Sequence, residues 1–281
     1  MDTALSQLEQ ERIIKPKRGL IGIDFAELWR YHELFFFLTW RNVLVRYKQT
    51  VIGILWAVIR PVMMMLVFTV VFGKVAKLPS DGIPYPILTF AALLPWQFFA
   101  NSLTESSNSL IVNTNMISKI YFPRLIIPSA AVLCGVVDFI IAFAILIGLM
   151  VWYQTVPTIA VLWLPLFFLL AFLTSLGIGL WFSALNVKYR DVRHAVPFLV
   201  QFGLFISPVG FSTSNIPELL QLPYYLNPMV AVIEGFRWAL LGQKVPLYYL
   251  GLTLSSLVTL LLLVSGVHYF KSVEKTFADI I

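Results

Sequence analysis

Cysteine is all but missing from this chain. Cys134 stands alone, which excludes an intrachain disulfide and a cysteine-based metal site. Charge is scarce as well: Asp, Glu, Lys and Arg make up 12% of the 281 residues, about half the ~25% of soluble domains. Hydrophobic residues reach 59% and the mean hydropathy is +0.85, so with its long apolar runs the chain reads as an integral membrane protein. The three histidines, His32, His194 and His268, are scattered, and no H-E-x-x-H or paired-carboxylate motif accompanies them. A metal site and a catalytic set are therefore not expected. No Walker A loop occurs, so the chain does not cradle ATP phosphates in the usual way. Serines occur without a nucleophile-elbow sequence. The first 20 residues lack the apolar core of a cleavable signal, and the first span is expected to direct insertion.

What is present is a succession of apolar segments. Residues 1–22, with Lys15, Lys17 and Arg18, read as a flexible polar lead. In residues 24–50 the apolar positions Phe25, Leu28, Trp29, Phe36, Trp40, Val43 and Tyr47 recur at helical spacing. Asp24, Glu27, Arg30, Glu33, Arg41 and Lys48 fall opposite them, as in a helix lying in the membrane surface. The run Leu34 to Leu38 is apolar all round, which predicts deeper insertion than for a typical surface helix. Six spans are predicted at 51–72, 87–112, 125–153, 161–187, 196–211 and 247–270, judged against the ~30 Å of hydrocarbon they must cross. Leu103, Leu110, Ile111 and Ile117 keep a helical spacing through the polar stretch after the second span, predicting a helix that continues with a hydrated face. Residues 212–246 hold two stretches too short to cross, read as a re-entrant pair. Asn227 as N-cap, Pro228 at the first helical position and Gly242 past the end frame the second of them.

Basic residues set the orientation. With the N-terminus inside, fifteen lysines and arginines fall on the cytoplasmic side and four, Lys74, Lys77, Arg237 and Lys244, on the outer. The net charge of +6 is thus mostly a topology signal, and nucleic acid is not an expected partner. Two charges lie deep in otherwise apolar spans. Arg60 lies ~14 Å into the first and Asp138 ~16 Å into the third, at 1.5 Å per residue. Groups at such depth face a bundle interior or a water-filled cavity and usually pair. Arg60 is therefore expected to pair with Asp138 or to face the same lumen, with Glu105 as an alternative partner.

The segment Arg41-Asn42-Val43-Leu44-Val45-Arg46-Tyr47-Lys48-Gln49-Thr50, followed by Gly53, Leu55-Trp56 and Pro61, resembles the N-terminal signature of ABC-2 type permeases that export polysaccharides. Further matches are Leu94-Pro95-Trp96, Lys119 to Arg124, Tyr189-Arg190-Asp191, Ser207-Pro208-Val209, Leu226-Asn227-Pro228 and Glu234 to Trp238. Ser207 to Phe211 and the tail Glu274 to Asp279 most resemble exporters of lipid-linked O-antigen, although capsule and teichoic-acid permeases share most of these motifs.

The resemblance implies one all-α transmembrane domain in the bacterial inner membrane, both termini cytoplasmic. It also implies a homodimer, and two separate ABC subunits that bind the ATP and magnesium, with no cofactor in this chain. On that reading Arg41, Arg46, Lys119, Tyr121, Arg190 and Asp191 contact the ATPase. Tyr224, Tyr225, Glu234 and Arg237 belong to an outer gate, the last two forming a weak exposed pair. The translocation path is expected at Trp56, Arg60, Trp96, Phe98, Phe99, Glu105 and Asp138, since aromatic faces suit sugar C–H surfaces. Lipid anchoring or packing places the same aromatics equally well. An ABC-2 exporter of a drug or lipid is the near alternative, and an enzyme acting on polyprenyl-linked sugars the distant one.

Overall fold

The computed structural model describes residues 25–48, 53–80, 82–242 and 247–277. The lead 1–22, Asp24, Gln49, Thr50, Lys244 and Asp279 lie outside them. The described residues form helices and turns, with no strand among them. In chain order the helices are α1 (Phe25–Arg30), α2 (His32–Lys48), α3 (Gly53–Phe68), α4 (Tyr85–Val112), α5 (Thr114–Ile117), α6 (Ile126–Trp152), α7 (Leu164–Lys188), α8 (Val192–Ile206), α9 (Glu218–Tyr224), α10 (Pro228–Leu241) and α11 (Tyr249–Glu274). A wider π-type segment, Thr69–Val75, prolongs α3, and a 3-10 turn, Ile159–Trp163, leads into α7.

Five helical stretches among the described residues are long and apolar enough to cross a membrane: Leu55–Val75, Tyr85–Val112, Ile126–Trp152, Ile159–Lys188 and Tyr249–Glu274. The expected span at 196–211 corresponds to α8, whose 15 residues fall short of the ~20 a crossing needs. It stops where Ser207 turns extended ahead of Pro208.

α4 is the central helix. It begins with proline in its first turn and packs against α6 and α7, with α3, α8 and α10 around them. It stays helical through the polar stretch, but only one face of that stretch is exposed. Ser102, Ser106, Ser107 and Ser109 are buried, and only some of its polar residues, such as Asn101 and Glu105, are exposed. The serines serve close packing instead: a Cβ added to Gly135 of α6 would lie 2.5 Å from the Ser102 hydroxyl. Small residues bring membrane helices together because lipid supplies no hydrophobic drive between them.

A tight glycine–glycine contact joins α7 to α11, where a Cβ on Gly266 would lie 2.3 Å from the Gly177 carbonyl oxygen. Gly266→Val is expected to cost ~1–3 kcal/mol through overpacking, read as a lower melting temperature in detergent. An unchanged melting temperature would show that the two helices separate freely.

α2 departs from a helix lying flat. Leu38 is buried in a cluster with Ile117, Phe122 and Ile126, at the start of α6. Eight residues on, Arg46 reaches Asp138, twelve residues into α6. The two helices therefore run side by side, and α2 climbs along α6. Trp29, Phe36, Phe37 and Trp40 are exposed, while Arg41 and Arg46 turn inward to polar partners. Of the residues placed on the charged outer face, Arg41 departs from it by turning inward to Asn113.

Candidate functional site

A cavity of about 650 Å³ lies between the end of α2, α3, α4 and α6. Its polar end is built by Arg46 and Tyr47 on α2, Glu105 on α4 and Asp138 on α6. The Arg46 guanidinium donates to Asp138 Oδ2 and, through its other nitrogen, lies 3.1 Å from Glu105 Oε1. The Tyr47 hydroxyl donates to the second Asp138 oxygen. One carboxylate thus receives two donors, both from α2, which ties that helix to α6 and α4 at once. Burial works against the Arg46 charge, but the attraction of Asp138 and Glu105 outweighs it and raises its pKa. Burial, with the Asp138 hydrogen bond, likewise raises the Tyr47 hydroxyl, which stays a donor at any physiological pH.

The pairing expected for Arg60 is therefore corrected: Asp138 belongs to Arg46. The inserted α2 delivers a guanidinium at the depth of Asp138, so both carboxylate oxygens have a donor without Arg60. Arg60 does line the same cavity as Glu105 and Asp138, with Trp56 beside it. Phe98 also lines it, yet is itself buried in an aromatic cluster, its ring 4.9 Å from Phe168. Trp96 and Phe99 are not among the lining residues. Their rings meet in a tilted contact with centroids 5.4 Å apart, and Trp96 packs over Gly203 of α8.

Of the residues assigned to an outer gate, Tyr225, Glu234 and Arg237 are buried inside the chain. Glu234 and Arg237 are each 1% exposed, so their pair is not the weak exposed one expected. Arg237 donates to Glu234 Oε1 at 3.2 Å and to the carbonyls of Val209 at 3.0 Å, Phe211 at 2.8 Å and Leu88 at 3.3 Å. One side chain thereby fastens the turn after α8 to α10 and to the start of α4. The framing of α10 is as its sequence predicts: Asn227 Oδ1 accepts from the Met229 amide at 3.1 Å, and Gly242 closes the helix at φ +77°. Tyr225 is buried between Tyr248 and Gly251, and the Tyr224 hydroxyl donates to the Ile206 carbonyl. An impermeant thiol reagent will therefore not readily reach a cysteine placed at 225, whichever side that residue faces.

The connections at the other ends of the spans meet one another. Arg41 donates to Asn113 Oδ1 at 2.7 Å, and the Arg124 amide to Glu274 Oε1 at 3.1 Å. Tyr121 is 71% exposed, with its hydroxyl 3.4 Å from Glu27 Oε1. Lys119, Arg190 and Asp191 are exposed too. Of the six residues assigned to an ATPase contact, Arg41 and Arg46 are thus engaged inside the chain, while these four present themselves at its surface.

The model of the ABC-2 type transporter family matches residues 33–241, most of the chain and the elements from α2 to α10. The chain belongs to the ABC-2 type transporter family. It is similar at 27% identity over 256 residues to an O-antigen export system permease protein of Myxococcus xanthus, covering 90% of this chain and 97% of the relative. Two permease proteins of the same description from Klebsiella pneumoniae align over 250 residues at 27% and 28% identity, covering 89% of this chain and 95% of each relative. With several apolar helices, this ABC-2 transporter is a multi-pass membrane protein.

Three polar residues of the transporter's cavity escape the sequence reading: Tyr47, Gln97 and Asn101. A signal for the last two does exist, since Gln97, Asn101 and Glu105 recur every four residues and make one stripe on α4. Tyr47 carries no such signal, because it sits on the side of α2 read as apolar.

Proposed function

We propose that the chain is the permease subunit of an exporter that moves a lipid-linked O-antigen polysaccharide from the cytoplasm to the outer side of the bacterial inner membrane. The observation that carries this reading is the near full-length similarity to proteins described as O-antigen export permeases. The transporter works as a homodimer, with two separate ABC subunits binding ATP and magnesium. Apolar faces that the single chain leaves bare, among them Leu66 on α3, Val70 in the π-type segment after it, and Phe198, Phe202 and Phe205 on α8, would meet lipid or the second protomer. With α8 and the turn that follows counted as a crossing, six spans put both termini in the cytoplasm.

In proteoliposomes with its ATPase, the transporter is expected to expose lipid-linked O-antigen on the far side only when ATP is supplied. Movement without ATP, or none with the ATPase bound, rules the reading out. The exposed Lys119–Tyr121 and Arg190–Asp191 surfaces receive the ATPase on this reading. Arg190→Glu is expected to reduce ATPase pull-down several-fold while leaving membrane insertion unchanged, since charge reversal at an interface acts by like-charge repulsion. Normal pull-down would remove Arg190 from the contact.

A further inference from the structure

Arg60 is the one cavity charge that the arrangement around Asp138 does not use. It is exposed, lies within the Leu55–Val75 span, and forms no ion pair with a described residue. A guanidinium at membrane depth costs ~2.5–3.5 kcal/mol on insertion scales unless a partner or water meets it. Its planar fork of donors matches a phosphate bidentately.

The rest of the wall narrows the ligand. A site for a bare anion would exclude carboxylates, yet Gln97, Asn101 and Glu105 form a stripe facing the same space. Amides and carboxylates in a row are what sugar hydroxyls bind, and the Trp56 ring adds a flat face for sugar C–H groups. Met63, Met64 and Val67 of α3 supply an adaptable apolar wall on the other side. The cavity therefore offers three chemistries at once, for phosphate, for hydroxyls and for hydrocarbon, in a volume of about 650 Å³ that suits a small-molecule headgroup.

We propose that this cavity receives the sugar-phosphate head of the lipid carrier, with Arg60 on the phosphate, the α4 stripe on the adjoining sugar and the α3 methionines along the first carbons of the chain. The assignment rests on the proposed function and names the part of the substrate that this site reads.

The test is equilibrium binding to the purified full-length permease in detergent. The probe is farnesyl diphosphate-linked N-acetylglucosamine, compared with phosphatidylglycerol, inorganic phosphate and a farnesyl glucoside without phosphate. Arg60→Gln is expected to weaken the sugar-phosphate lipid about tenfold or more, as befits loss of a charge-assisted contact. Arg60→Lys should retain part of the affinity, and the phosphate-free glucoside should bind wild type and Arg60→Gln alike. Ala57→Phe fills the cavity from α3 without touching a charge and should weaken the same probe, which separates the site from any folding defect at Arg60. Unchanged affinity in Arg60→Gln overturns the assignment. So does phosphatidylglycerol or inorganic phosphate binding as tightly with the same loss, since the site would then read any phosphate. If the probe binds normally to Arg60→Gln and ATP-driven export persists, the site falls and the proposed function stands. If export is absent from wild type, that function itself fails.

Discussion

Replacing Arg237 with leucine is expected to cost the transporter about 3–5 kcal/mol, the largest single-residue effect in the chain. The loss has two parts. Glu234 is left as a carboxylate without a cation in a site that is 1% exposed. The carbonyls of Val209, Phe211 and Leu88 also lose their donor, at ~1 kcal/mol each. Glu234→Leu combined with Arg237→Met tells the parts apart. Removing both charges should recover the first part and leave the second, so the double variant melts above Arg237→Leu and below wild type. Arg237→Lys should not rescue, because one ammonium on a flexible stem cannot span acceptors on three segments. A wild-type melting temperature in Arg237→Leu would show that the turn after α8 is held by something else.

The second large effect is expected at Asp138. Its side chain is 19% exposed and that of Arg46 24%, so the pair is screened only in part. In a double-mutant cycle, Asp138→Asn and Arg46→Gln should each destabilise, with a coupling of ~1.5–3 kcal/mol, the range for hydrogen bonds to charged groups. Glu105 is 56% exposed, and Glu105→Gln should cost only ~0–1 kcal/mol. Arg60→Gln combined with Asp138→Asn should be additive within ~0.5 kcal/mol, because no direct contact joins them. The check is thermal unfolding of the four variants of each cycle. A 60–138 coupling as large as that of 46–138 would restore the pairing first read from depth alone.

The contrast between Arg46 and Arg60 shows what a sequence can and cannot reveal here. Depth along a span is arithmetic, and it correctly marks Asp138 as needing a partner. Which partner arrives depends on how α2 leans on α6, a tertiary contact set by Leu38 and its neighbours that no local pattern announces. The same holds on the opposite side. Spacing shows that Glu234 and Arg237 share a helix face, but the carbonyls that bury Arg237 come from residues 26 to 149 positions away. The caps of α10 were legible because they are local chemistry. Which serines of α4 are buried was not legible, because composition alone cannot tell a polar surface from a close-packing seam.

That seam bears on how the chain is assembled as it is made. α3 is the first span to leave the ribosome and the one least covered by the described residues, so its apolar surface is at home in lipid before the other spans exist. α4 follows with a row of serines whose proper neighbours, Gly135 of α6 and Gly179 of α7, have not yet been synthesised. Its hydroxyls must satisfy their own backbone carbonyls meanwhile, as Ser107 and Ser109 do in the finished fold. The second span is thus the one that waits, and its docking is complete only when α7 has entered the membrane. Slowing or truncating synthesis between α6 and α7 should leave a species in which α3 is inserted and α4 remains exposed to the insertion machinery.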